Sequence, residues 1–377
     1  MRGNRLASSS AVEGHWRGLA QSRWLADEVV DRLTAAGGEA DDIAAANFWG
    51  GIARVTMADH FNVIVYGNED TPRGVIDVIN DAITRFDAAA NGATDANLRA
   101  AALGQVARAY RSLYFEEMHL NNNADPSLLA QAETAARAAL AADPDYVISL
   151  DYGAPGGSNS ASVLGGPNGG TVNRPDGDAY AFLRDPVTGN WDPRVPHSHN
   201  NVAEDLDDSQ SAEFGLTFTN LKFLDNDSPL PVSRASEALL IIAEAELEQG
   251  NLQEAVDYIN MNRAAARARV SAGGYAGGSA RGWPPQVMAI SDLQDFVNPN
   301  DADQIRAQLV HERRVEFFLE LRRWADMRYY RIFPARWLQP NVDAGMDLRW
   351  PPAPEEIAQN VNLTLEQTRR VCGTAPC

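Results

Sequence analysis

Apolar residues recur along most of the chain at intervals of three and four, the spacing that gathers them on one face of an α-helix. The clearest case is 95–119, where Leu98, Ala102, Val106, Ala109 and Leu113 fall at i, i+4, i+8, i+11 and i+15 and make one stripe. Residues 11–36 read the same way through Trp16, Leu19, Trp24, Leu25 and Val29, with Gly37 and Gly38 as terminators. A further helix is predicted over 41–64, capped by Asp41 or Asp42, with Gly50 and Gly51 marking a close helix contact or a kink. After the loop YGNEDTP, another runs over 72–90, and SLLAQAETAARAALAADPDY closes the series with an Asp-Pro stop.

The pattern breaks at 151–232. GAPGGSNSASVLGGPNGG is a loop-forming run, and the segments after it are short, rich in turns and interrupted by Pro, with strands expected in places such as EFGLTFTNLKFL. Helical spacing resumes near 231, where Ser233 is the expected cap, and QGN splits two helices. Gly250 and Ala255 stand five apart, the turn glycine and small residue of tetratricopeptide-type helical pairs. The stretch LVHERRVEFFLELRRWADM predicts one more helix, with Val310, Phe317, Leu321 and Trp324 as its apolar stripe. The expectation is a mainly α fold: tetratricopeptide-like helical pairs forming a scaffold, with an irregular loop-rich insertion carrying a few short strands. It has an N-terminal helical part (1–150), an irregular excursion (151–230) and a C-terminal helical part with a tail (231–377), all within one compact structural unit.

Charge narrows the function classes. The net charge is −19, from 51 acidic and 32 basic residues, a field that repels a nucleic-acid backbone. The start, MRGNRLASSS, lacks the apolar region of a signal peptide and a cysteine for lipid attachment, so it reads as cytosolic or as trimmed from a longer precursor. Cys372 and Cys377 enclose a Gly- and Pro-containing turn and would pair as a disulfide in an oxidising compartment, the alternative being two unpaired thiols in the tail; no cofactor or metal site is expected from them.

Within 309–334, Glu312, Arg313, Glu316, Glu320, Arg323 and Asp326 are spaced for pairing on one helix surface: Arg313 with Glu316, Glu320 with Arg323, and Arg322 with Asp326. An arginine beside nearly every carboxylate spoils a general acid, so structural ion pairing is the expectation and no catalytic residue is assigned. His197 and His199 could bind a metal with a third ligand such as Asp205, or lie in a solvated loop.

Three segments resemble a known family. Arg234, Glu237, Leu239, Leu240, Ala243, Glu244 and Ala245 match the first signature of the SusD/RagB family of outer-membrane nutrient-binding proteins. Glu312, Arg313, Glu316, Glu320, Arg323 and Asp326 match its second, with Leu321 where the family carries Gly and Tyr329 where a second Arg is common. Pro352, Pro354 and Glu355 or Glu356 match its tail. The resemblance is firm over about 217–362 and weaker over 40–145. It implies a lipoprotein on the outer-membrane surface that captures oligosaccharides or peptides and hands them to a SusC-like TonB-dependent transporter. Binding, with no cofactor and no bond broken, is the role it implies.

Sugar rings stack on aromatic faces while their hydroxyls pair with polar side chains. Loop aromatics are therefore the candidate ligand contacts: Tyr66 with Asn68 and Glu69, then Tyr152, Tyr180 and Trp191, then Tyr275 and Trp283. Local packing of a long loop is the alternative for each. The rival functions are a protein-interaction scaffold without a small ligand and a glycan-processing enzyme.

Overall fold

The computed structural model describes residues 10–67, 70–121, 124–152, 172–173, 184–195, 197–199, 217–220, 222–223, 227–271, 293–320, 322–332, 349–350 and 362. Helices dominate: α1 (Ser10–Ala36), α2 (Ala40–His60), α3 (Val75–Gly92), α4 (Ala96–Asn121), α5 (Pro126–Ala142), α6 (Ala235–Glu248), α7 (Leu252–Ser271), α8 (Ala302–Glu316) and α9 (Arg323–Tyr329). The strands are short: β1 (Val147–Leu150), β2 (Val172–Asn173), β3 (His197–His199), β4 (Thr217–Asn220) and β5 (Leu230–Arg234). Two compact units are interleaved along the chain. Unit 1 comprises Met1–Val147, Ser233–Ile241 and Met327–Cys377; unit 2 comprises Ile148–Val232 and Ile242–Asp326.

In unit 1, α1 to α5 each pack on their neighbour in sequence, the arrangement of stacked helical pairs. The stripe Leu98, Ala102, Val106, Ala109 and Leu113 is buried throughout. Gly51 shows why a helix interior carries glycine: a Cβ there would lie 2.5 Å from Cε1 of the buried Phe86, so α2 and α3 meet as closely as they do because it is absent. Gly104 does the same for Tyr146, whose hydroxyl would sit 2.1 Å from a Cβ.

Several expectations change. Trp24 and Leu25 are not part of the α1 stripe but are 56 % and 52 % exposed. Leu25 is nine residues, two and a half turns, from Trp16 and so faces the opposite way; Val12, Trp16, Arg23 and Ala26 form the buried face. Asp41 does not cap α2, whose N-cap is Glu39 without a side-chain bond. It instead accepts the Thr94 and Asp95 backbone N–H groups at 2.6 and 3.1 Å, fastening α2 to the start of α4. Ser233 belongs to β5 and donates to the Ala101 carbonyl at 3.0 Å, so the helix begins after it.

In unit 2, β4 is the middle strand of an antiparallel sheet in the order β2-β4-β3, with Val172 opposite Phe218 and His197 opposite Asn220. The His-Ser-His stretch is thus a paired strand; Asp205 lies outside the described residues. Gly250, at φ +84°, makes the turn between α6 and α7, and Ala255 is fully buried one turn later. The helix expected through 309–327 is two helices. α8 ends at Glu316, and the chain turns through Leu319 at φ +62° before α9 begins. Lys222 accounts for the break: its ammonium donates to the carbonyls of Glu316 and Phe318 at 2.9 and 3.1 Å and pairs with Glu320 at 2.7 Å, supplying the end of α8 with donors and positive charge.

Gly51→Ala is expected to lower stability by about 1–3 kcal/mol, because the added Cβ would lie 2.5 Å from the ring of the fully buried Phe86. Gly14→Ala, where a Cβ meets nothing within 4 Å, is expected to be neutral or to stabilise by up to about 1 kcal/mol. Urea unfolding followed by circular dichroism compares the two.

Candidate functional site

Asp185 and Asp192 bound a tight hairpin. The Asp185 N–H donates to the Asn190 carbonyl and the Gly189 N–H to the Asp185 carbonyl, both at 2.7 Å, with Gly189 at φ +73°. Arg184 and Trp191 face one another across it as an antiparallel bridge, and the Arg184 guanidinium lies 4.3 Å from the Trp191 ring centroid. Trp191 is half-buried, while Asp185, Asp192 and Arg194 beneath it are fully buried.

A charge network holds both ends of this hairpin. Glu312 on α8 is fully buried and pairs with Arg194, and with Arg263 of α7 at 2.7 Å. Arg263 reaches back to Asp185 at 2.7 and 3.1 Å, and Arg194 to Asp192 at 2.7 and 2.9 Å. Gln308 donates to Glu312 at 2.7 Å, and His311 Nε2 stands 3.2 Å from Asp192. Burial alone would raise the Glu312 pKa, but Arg194 and Arg263 outweigh it and hold the carboxyl below its ordinary range. Asp192 behaves likewise: burial opposes ionisation and Arg194 overcomes it, leaving the group far below the usual carboxylate range. Such groups stay ionised at neutral pH and cannot serve as a general acid.

Asp185, Asp192 and His311 bring ligand atoms within 4.8 Å of one another, a spacing that suits a metal ion. The oxygens are already spoken for by the forks of Arg263 and Arg194, which place two positive charges where a cation would sit. The triad reads as a hairpin anchor.

The other signature residues also find partners beyond the one-turn pairs expected of them. Arg313 donates to both oxygens of Asp326 at 3.0 and 3.1 Å, Glu316 pairs with Arg269, and Glu320 with Lys222. Arg323 is half-buried; burial lowers its pKa and Asp326 offsets this in part. In unit 1, Arg108 joins Asp59 at 2.6 Å to Glu237 at 4.0 Å, and Glu116 pairs with Arg328 and Arg349; Arg234 is buried.

Of the loop aromatics, Tyr66 is half-buried and surrounded by arginines, with its hydroxyl on Asp81 at 3.1 Å. Tyr152 is half-buried in unit 2. Asn68, Glu69, Tyr180, Tyr275, Trp283, Cys372 and Cys377 lie outside the described residues. The sequence reading missed Asp185, Asp192, Arg194 and Arg263. The two aspartates, seven apart and flanking TGN, were the signal that a short hairpin was tied at both ends.

Unit 1 also holds a histidine pair, His60 buried and His15 half-buried. His15 Nε2 and His60 Nδ1 are 3.0 Å apart, so one proton serves both, and Trp350 stacks on His60 at 5.7 Å. The Trp350 N–H donates to the His60 carbonyl at 2.7 Å. Burial pushes the His60 pKa down to about 4; Asp59 opposes this, and the charges of His15, Arg328 and Arg108 add to it.

Glu312→Gln is expected to cost about 3–5 kcal/mol in urea unfolding, because two buried guanidiniums lose their shared counter-charge. Arg306→Ala removes the exposed partner of Glu248 and is expected to cost under about 1 kcal/mol. The His60 shift gives a pH dependence of definite sign. The unfolded chain takes up the proton near pH 6.5 and the folded chain near 4, so stability falls as pH drops through that window. Unfolding free energies from pH 7.5 to 4.5 are expected to show this slope, and His60→Phe to flatten it.

Residues 214–370 match the family model described as the SusD family. The SusD-like protein P2 of Formosa agariphila is 33 % identical over 138 residues, which covers 34 % of this chain and 24 % of that protein, so the match spans about a quarter of the relative's length. Among solved structures, a SusD superfamily protein from Bacteroides vulgatus superposes with a TM-score of 0.61 at 15 % identity, over 94 % of this chain and 85 % of the other. A SusD homolog from Bacteroides thetaiotaomicron gives 0.61 at 16 % identity, over 95 % and 86 %. These structures share the fold across nearly the whole chain, and the family model covers its C-terminal part with both arginine–glutamate signatures. The chain is thus similar to the SusD family over residues 214–370, and it shares its fold with SusD-type structures.

Proposed function

We propose that this protein captures an oligosaccharide outside the cytoplasm, at the outer-membrane surface, and passes it to a SusC-like TonB-dependent transporter. The observation that carries this reading is Trp191: a half-exposed indole on a hairpin whose two ends are locked to the buried Arg194–Glu312–Arg263 network. The Arg184 guanidinium lies over the ring at 4.3 Å, and an indole offers an apolar surface of the kind on which the C–H face of a sugar stacks. Tyr152, half-buried in the same unit, is the second proposed contact. Carboxylates held ionised by arginines support capture over hydrolysis. No helix among the described residues is long and apolar enough to cross a membrane, so attachment to one would rest on other means.

A glycan and peptide array followed by calorimetry on the best binder tests this. Trp191→Ala is expected to weaken binding about three- to tenfold, the worth of one aromatic stacking contact, and Tyr152→Ala by a similar factor. Turnover of the bound oligosaccharide, or an affinity unchanged in both variants, would overturn the reading. Binding of peptides alone would replace the ligand class.

A further inference from the structure

A second concentration of charge lies in unit 1, on α1, α2, α3 and the loop that joins the last two. Tyr66 carries three guanidiniums around its ring: Arg23 at 4.2 Å from the centroid, Arg73 at 4.6 Å and Arg54 at 5.4 Å. Asp27 accepts from Arg23 at 3.0 Å, from Arg54 at 2.8 Å and from Arg85 at 2.7 Å. Asp81 accepts from Arg73 at 2.5 Å and from the Tyr66 hydroxyl at 3.1 Å. Four guanidiniums are thus bonded to two carboxylates, in a chain whose acidic residues outnumber its basic ones by 51 to 32.

A second observation, independent of that ratio, marks unmet hydrogen-bond donors in the cluster. Among the described residues no acceptor meets the Nε–H of Arg23 or of Arg54, and both side chains are more than nine-tenths buried. Their remaining donors are used: Arg23 on the Tyr66 carbonyl at 2.8 Å and Arg54 on the Gly50 carbonyl at 3.0 Å. Burial lowers the Arg23 pKa, Asp27 opposes that, and the charge of Arg54 adds to it. A buried donor without an acceptor is costly, and a bound anion is one way such a cost is met. The outer members can be reached, since the Arg73 side chain is 42 % exposed and that of Arg85 26 %.

We propose that this cluster is a binding site for a small oxyanion, a carboxylate or a sulfate ester, docked on Arg73 and Arg85 with Arg23 and Arg54 as the charge behind them. Planar guanidiniums match both groups through paired N–H donors. Asp70, an exposed carboxyl on the same loop, makes the site suited to a group of single charge rather than to a dense polyanion. The site is separate from the Trp191 hairpin and does not depend on that reading.

Calorimetric titration of the full chain with inorganic sulfate, and in parallel with glucuronate, tests the proposal, each against sodium chloride of matched ionic strength. At least one probe is expected to bind saturably. The Arg73→Gln/Arg85→Gln double variant is expected to weaken that binding at least about tenfold, as loss of charge-assisted donors does, and Trp191→Ala to leave it unchanged. The two probes separate a sulfate preference from a carboxylate preference. Should the double variant lose its circular dichroism spectrum, Arg73→Gln alone carries the comparison, because that side chain is largely at the surface. Absence of saturable binding by both probes, or equal binding by the parent and a folded variant, overturns the site.

Discussion

A carboxylate that water cannot reach must find its counter-charge inside the protein, and Glu312 finds two. Arg194 and Arg263 both close on it, and each then reaches a second carboxylate, Asp192 or Asp185. Exchanging such a network for apolar side chains is often neutral or stabilising, whereas removing a single member is costly. Its contribution is therefore chiefly one of geometry. With Glu312 placed on α8 and Arg263 on α7, the two ends of the hairpin have one position that leaves no charge unpaired, and Trp191 is aimed by that requirement.

Unit 1 reaches a comparable solution with other residues. Asp59 on α2 pairs with Arg108 on α4, and Arg328 donates to the Asp59 carbonyl as well as to Glu116. Arg349 joins Glu116 too, which ties residues from the end of the chain to α4. The Tyr66 cluster departs from this rule. There, among the described residues, the Nε–H groups of Arg23 and Arg54 meet no acceptor, and this occurs beside Arg73, which is exposed, and Arg85, which is half-buried.

Helical spacing made the mainly α architecture legible because burial of a stripe is a local, periodic demand, as α4 shows. It failed where a single long-range contact outweighed periodicity. Nothing within 309–327 indicates that Lys222, 94 residues before the end of α8, would supply donors there and let the chain turn. The same holds for the charges of this segment. Spacing suggested partners one turn away, while the folded chain offered Arg194, Arg263, Arg269 and Lys222 from elsewhere. Residue types told that the arginines and glutamates would pair; only the fold says with whom. Trp191 was legible as a loop aromatic, but its anchoring was not, because Asp185 and Asp192 acquire their roles through α7 and α8.

The family signature and the proposed ligand contact are therefore linked without coinciding. Glu312 touches no ligand in this reading, yet it fixes the hairpin that presents the indole. A loop that must be ordered on binding subtracts that ordering from the affinity, whereas one already tied at both ends does not. If the indole is the ligand contact proposed above, placing the charges beneath the hairpin and the aromatic ring on it lets a fully buried network serve recognition from a distance. It also leaves the loop surface free to change with the ligand, while the residues that hold it in place remain those the scaffold requires.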